Sequence, residues 1–199
     1  MPDLVLASAS PRRRELLAGL GLRYVVRPAD VDESVRPGEP PADYVLRLAI
    51  EKAEALARPG ELVLAADTTV VIDDEILGKP GDADEARRML RQIAGREHTV
   101  LSGVALFEPD RAKGRRAAAL ESSRVRMAAL DDEQIGWYVS TGEPMDKAGS
   151  YAIQGLGAMF VEAVFGNYTN VVGLPLPLTR RLFAELGYDI RDFSPAPRT

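Results

Sequence analysis

A mixed α/β architecture is what the 199 residues predict, and three stretches predict it. Residues 4–20, LVLASASPRRRELLAGL, read as a short apolar strand passing through a Ser-rich turn into a helix. Residues 61–79, ELVLAADTTVVIDDEILGK, read as a buried-type strand over 62–66, followed by a hairpin of 70–72 with 76–77 around Asp73-Asp74. Between them, residues 41–57 place Val45, Leu48, Ala49, Lys52, Ala53 and Leu56 at the spacing of one helical face. Strands and helices alternate with neither internal repeat nor linker, so one large domain or two small lobes is expected.

Composition excludes several classes. The chain has no cysteine, which removes disulfides, thiolate zinc sites and a Cys nucleophile. No apolar run approaches the roughly 18 residues of a membrane span, and the first residues enter a strand without a signal-peptide pattern. A cytoplasmic protein without membrane contact is therefore expected. A net charge of -5 argues against a stable nucleic-acid complex, so any polyanion bound must be small and locally held. Of 25 basic residues only Lys52, Lys79, Lys113 and Lys147 are lysine. In a chain that uses arginine so heavily, a lysine suggests a position where a compact point charge suits phosphate.

Ser10 suits a helix N-cap and Pro11 the first helical position. Arg12, Arg13 and Arg14 then fall in the first turn, where the helix dipole disfavours cations. An anion there, held by backbone N–H groups, the Ser8 and Ser10 hydroxyls and guanidinium forks, resolves the conflict. A solvated basic turn whose long side chains splay outward is the competing reading. Gly21 fits a C-cap, residues 24–26 a second strand, and Asp30 to Ser34 an acidic patch that is either a solvated turn or a carboxylate cluster facing a metal. Lys52, inside the apolar stripe, either snorkels to water or meets phosphate in a cleft.

Asp67 interrupts the apolar run with no Gly or Pro beside it, so turn chemistry does not account for it. A carboxylate at the end of a buried strand calls for a metal, a cation or a catalytic task. Thr68 and Thr69 add hydroxyls, and Lys79 follows in the rigid Gly78-Lys79-Pro80 turn. Residues 82–94 form a helix with a capping-box start, 99–107 a strand, 109–115 a polar loop and 117–127 another strand. His98, the only histidine, sits at a helix-to-strand junction in a structural or solvent-facing role, which makes a His-dependent triad a poor fit. Residues 131–140 form a short helix. A Gly-rich loop over 144–157 lets backbone approach a ligand, with Gln154 offering a donor and an acceptor to a base edge. Residues 159–165 and 168–172 read as a hairpin over Gly166-Asn167, residues 176–186 as a closing helix, and 191–199 as a frayed tail.

SASPRRRELL, DVDES, EKA, AADTTV, GKP and KAGSYAIQGLG occur in the order found in Maf proteins, which this chain resembles over nearly its whole length. The resemblance implies a Maf/ITPase-like fold, in which an elongated, twisted mixed sheet flanked by helices forms two lobes around a central nucleotide-binding cleft, commonly as a homodimer. It implies a nucleoside triphosphate pyrophosphatase, and the ending KAGSYAIQG is similar to the branch acting on dTTP and UTP. By the same resemblance Asp67 is the catalytic carboxylate, and Arg12, Thr68 and Gln154 are specificity residues. Arg13, Lys52 and Lys79 are triphosphate ligands and Glu33 is an acid near metal or nucleotide, while Ser8 and Ser10 belong to the phosphate site on the helix-start argument given above. Lys147 is a further cleft candidate. Asp67 and Glu33 offer the hard oxygens that suit Mg2+ or Mn2+. The competing expectation is a non-catalytic regulator of septum formation that binds nucleotide or nucleic acid through Arg12 to Arg14.

Overall fold

The computed structural model describes residues 1–109 and 114–194. Its strands are β1 (Asp3–Leu6), β2 (Val25–Val26), β3 (Glu61–Ile72), β4 (Glu75–Leu77), β5 (Glu97–Glu108), β6 (Arg115–Met127) and β7 (Val161–Phe165). The helices are α1 (Pro11–Gly19), α2 (Pro41–Ala55), α3 (Ala83–Ile93), α4 (Asp132–Ser140), α5 (Tyr168–Val172) and α6 (Leu176–Glu185). The sheet order is β2-β1-β3-β5-β6-β7, with β4 on β3. It is mixed: β1 runs parallel to β2 and β3, whereas β3–β4 and β6–β7 are antiparallel. The predicted mixed α/β class with helices flanking a sheet is the observed one.

The chain divides into two compact units. The first comprises residues 1–67, 102–121 and 173–199. Strand alternation sorts its core. Leu4, Leu6, Leu62, Leu64 and Ala66 pack with Leu17 of α1 and with Leu178, Leu182 and Phe183 of α6. Val5, Ala7, Val63 and Ala65 pack with Ala49 and Ala53 of α2. Gly103 lets α2 lie directly on β5, because a Cβ there would stand 2.3 Å from the Val45 carbonyl oxygen. The second unit comprises residues 68–101 and 122–172. Its core joins Val70, Ile72 and Leu77 to Met89, Leu90 and Ile93 of α3 and to Ile135 and Tyr138 of α4. Among the described residues no helix is long and apolar enough to cross a membrane.

Four expectations are corrected. The strand predicted to stop before Asp67 runs on to Ile72, so Asp67 lies within β3. The β-branched Thr68, Thr69 and Val70 that follow suit an extended chain. The β3–β4 hairpin itself forms as predicted, with Asp73 and Asp74 at φ 50° and 63°, the left-handed pair that a two-residue turn requires. Residues 168–172 are helical, because the Asn167 side-chain oxygen accepts the Asn170 N–H at 2.9 Å and the Thr169 hydroxyl at 2.6 Å, capping a helix.

His98 lies inside β5 and not at a junction. The tail predicted to fray from Arg191 is anchored as far as Phe193, which is buried against Phe183 and Tyr188 and whose carbonyl accepts the Arg23 N–H at 2.7 Å. Residues 195–199 of that tail, and 110–113 of the predicted 109–115 loop, lie outside the described residues.

Candidate functional site

Lys52 is the residue on which the first unit's polar interior converges. It occupies the apolar stripe of α2 with Val45, Leu48, Ala49 and Ala53. That stripe faces the side of β3 that carries Val63 and Ala65, and period-2 alternation places Asp67 on the same side. The Lys52 Nζ lies 2.6 Å from Asp67 Oδ1 and 2.6 Å from Glu33 Oε1. Lys52 is only 7% exposed and Asp67 9%, so the ammonium does not snorkel to water. Two carboxylates on one buried cation stand within a few ångströms of each other, close enough to serve one ligand. Within the acidic patch the roles divide: Asp32 accepts the Ser34 N–H at 2.9 Å in a turn, while Glu33 reaches the site.

The start of α1 lies in the same unit. Ser10 occupies the N-cap position without a side-chain cap bond, and Pro11 opens the helix as predicted. The Ser10 N–H donates to the buried Ser8 Oγ at 3.2 Å, and Arg13 Nη1 donates to the same oxygen at 3.2 Å. Arg13 Nε also donates to the Gly173 carbonyl at 2.8 Å, fixing the guanidinium. Burial lowers the Arg13 pKa, and the charges of Asp67 and Glu33 act against that shift, which places Arg13 in the field of both carboxylates. Arg12 is half-buried beside it.

Three residues that hold backbone or loop segments in place escaped the sequence reading. Tyr44 of α2 donates its hydroxyl to the Glu33 carbonyl at 3.0 Å. Desolvation, then the charges of Asp67 and Glu33, push its pKa up to about 12. Arg47, one turn on, donates to both Glu39 oxygens at 2.5 and 2.8 Å, to Glu51 at 3.0 Å and to the Ser34 carbonyl at 3.1 Å. Its hydrogen bonds hold the Glu39 carboxylate down at about 2. The loop carrying Glu33 is thus clamped to α2 at that residue and just after it. The third is Glu143, in the second unit.

The second unit carries Thr68, Lys79, Lys147 and Gln154. Thr68 is half-buried next to Asp67 in sequence, and Lys79 is exposed without an acidic partner among the described residues. The Gly149 N–H donates to the Gly78 carbonyl at 3.1 Å, tying the Lys79 turn to the glycine-rich segment. That segment is three 3-10 turns, Glu143–Asp146, Ala148–Ser150 and Gly155–Phe160, and not an open loop. Lys147 is ion-paired with Asp146 and donates to the Glu143 carbonyl at 3.1 Å. Gln154 is exposed, and its amide bonds no other described residue. Ser150 is fully buried at φ 59°, with its Oγ on the Met89 sulfur at 3.2 Å.

His98 is held within the core of the second unit. It is 3% exposed, and its Nε2 meets the Tyr151 hydroxyl at 2.8 Å. Burial pushes its pKa from 6.5 down to about 4. Below pH 6.5 the unfolded chain takes up a proton that the folded chain refuses until about pH 4, so stability falls as pH falls through this window. Urea unfolding at about pH 7.5 and about pH 5 should show wild type losing roughly 2 kcal/mol more than His98→Gln. Equal losses in the two proteins would remove His98 as the source.

An acidic chain thus gathers an arginine-bearing helix start, a buried ammonium and two carboxylates in one unit. The family profile described as Maf-like protein matches residues 3–186, and the chain belongs to that family. Among curated relatives, the dTTP/UTP pyrophosphatase of Anaeromyxobacter dehalogenans (strain 2CP-1 / ATCC BAA-258) is 58% identical over 189 residues, covering 95% of this chain and 96% of its own. The dTTP/UTP pyrophosphatase of Hahella chejuensis is 52% identical over 192 residues, covering 94% of each. That of Symbiobacterium thermophilum is 50% identical, covering 96% of this chain and 97% of its own.

Proposed function

We propose that the chain is a nucleoside triphosphate pyrophosphatase that hydrolyses dTTP and UTP to the monophosphate and pyrophosphate. The observation that carries this reading is the Lys52 ammonium held between Asp67 and Glu33, in the field of Arg13. The names of relatives up to 58% identical over almost the whole chain support the substrate class. The proposed step adds water to the α-phosphorus, breaks its bond to the bridging oxygen of the β-phosphate, and releases pyrophosphate. Asp67 orients the water and accepts its proton. Arg12 and Arg13, with Ser8, Ser10 and the N–H groups at the start of α1, hold phosphate oxygens. Lys52 and Lys79 neutralise charge as it develops on the leaving group.

The donor chemistry fits a divalent cation of the Mg2+ or Mn2+ type. Such ions take one or two protein carboxylates and complete their shell with water and phosphate oxygens. Among the described residues no cluster of three or more acidic or imidazole ligands stands ready. Asp67 and Glu33 are the residues that would hold the ion, which when bound supplies Lewis-acid stabilisation to the triphosphate. Arg12, Thr68 and Gln154 remain the proposed selectors of the nucleotide, with Lys147 a further candidate. The reading includes a two-lobed single domain and a homodimer, both from the family resemblance, and the cytoplasmic setting expected from the sequence pattern.

The test is product identification over a panel of nucleoside triphosphates with Mg2+ or Mn2+, assaying pyrophosphate and orthophosphate separately. Pyrophosphate with dTMP or UMP is expected. Orthophosphate alone would make the protein a phosphatase, and no turnover of any nucleotide would favour the binding regulator.

A further inference from the structure

We infer that Glu143 is a positioning residue for base selection: its carboxylate sets the backbone that presents Gln154. This rests on the proposed nucleotide reading and adds a residue to it. Glu143 accepts three hydrogen bonds within its own unit. The Leu156 N–H donates to Oε2 at 2.9 Å, and the Gly157 N–H and the Tyr138 hydroxyl each donate to Oε1 at 2.8 Å. The Tyr138 oxygen in turn accepts the Ala152 N–H at 3.1 Å. The chain is thus pinned two residues before Gln154 and two and three residues after it, by one carboxylate and the hydroxyl bound to it.

Gln154, between the pins, is exposed, with its amide unengaged by other described residues. It therefore depends on its backbone for its direction. Packing at Gly157 has the same sense, since a Cβ there would stand 2.4 Å from both the Tyr138 hydroxyl and the Ala152 carbonyl oxygen. The carboxylate is the chemistry this job needs. A Gln in its place has one acceptor oxygen, and its NH2 would face an N–H or hydroxyl donor, so at least one pin is lost at almost unchanged volume. Burial disfavours the ionised form, yet the hydrogen bonds from Leu156, Gly157 and Tyr138 and the charge of Lys147 hold Glu143 below its ordinary range.

The test uses the full chain and three variants, Glu143→Gln, Glu143→Asp and Tyr138→Phe. Two readouts are taken: hydrogen exchange of the Leu156 and Gly157 amides, and kcat and KM for dTTP, UTP, dATP and GTP. Glu143→Gln should speed exchange at those amides and lower the pyrimidine-over-purine ratio of kcat/KM by about tenfold, the worth of one or two lost hydrogen bonds. The change should lie mainly in KM, with kcat for dTTP within about threefold. Glu143→Asp, which keeps both acceptor oxygens on a shorter stem, should recover part of the ratio. Tyr138→Phe, which deletes only the hydroxyl, should move it in the same direction by less.

An unchanged ratio in Glu143→Gln would overturn the inference, as would an equal fall in kcat/KM for all four nucleotides. If the wild type fails to hydrolyse dTTP and UTP, or shows no pyrimidine preference, the nucleotide reading itself fails and this inference with it. Those results are seen in the wild type and so are told apart from a failure specific to Glu143.

Discussion

Asp67→Asn is expected to lower kcat for dTTP and UTP by about a thousandfold or more, while the protein stays folded. The substitution preserves shape and removes the charge and basicity on which the proposed proton transfer depends. Its effect on stability should be small for a reason specific to this site. Removing one member of a buried ion pair is damaging when the partner charge is stranded. Here the Lys52 ammonium keeps Glu33 at 2.6 Å, so it is not stranded. The melting temperature should therefore shift by less than about 5 °C. Pyrophosphate release and a thermal melt on the same preparation provide the check, and a kcat within tenfold of wild type would remove Asp67 from the chemistry.

The parts of this site that could be read from the sequence are those where a side chain contradicts its own secondary structure. Lys52 stands among Val45, Leu48, Ala49 and Ala53 on a helical stripe, and Asp67 stands in a strand of buried apolar residues. Each is anomalous alone, and alternation along β3 brings the two anomalies to the same face. Arg12 and Arg13 are legible in the same way, because their charge opposes the helix dipole.

Glu143, Tyr44 and Arg47 gave no such signal, since an acid in a loop and a tyrosine or arginine on a helix are ordinary there. Their importance lies in backbone groups they reach, the N–H of Leu156 and Gly157 and the carbonyls of Glu33 and Ser34. Such partners have no residue type and leave no pattern in a sequence.

The fold errors share that origin. Residues 168–172, rich in aromatic and β-branched side chains, have strand propensity, and the side chain of Asn167 overrides it. The buried Asn170 then donates to the Val100 carbonyl and the Ser123 hydroxyl, both at 3.0 Å, which gives the helix a polar reason to stay. At the C-terminus a single aromatic side chain, Phe193, decides the matter by packing its ring edge-on to Phe183 at 5.3 Å. One residue without periodicity offers nothing for a pattern to detect.

Lys52→Ala should differ from Asp67→Asn in kind, because it harms both the chemistry and the fold. With the ammonium gone, Asp67, whose side chain is 13% exposed, loses its 2.6 Å partner, and its negative charge and that of Glu33 face each other across the vacated space. Arg13 offsets part of this repulsion through its charge. A loss of about 2–3 kcal/mol in unfolding free energy is expected. The kcat/KM for dTTP should fall by about a hundredfold to a thousandfold, since the cation proposed to stabilise the leaving pyrophosphate is gone.

Lys52→Met separates the contributions. It keeps an unbranched apolar stem against Val45, Leu48 and Ala49 but carries no charge. If the stem matters only for packing, Lys52→Met recovers stability relative to Lys52→Ala and stays equally inactive. That pattern is the expected one, read from urea unfolding and steady-state kinetics side by side. Wild-type kcat/KM in Lys52→Met would instead reduce the Lys52 ammonium to a structural counter-ion for two carboxylates, leaving Lys79 and the arginines to carry the triphosphate.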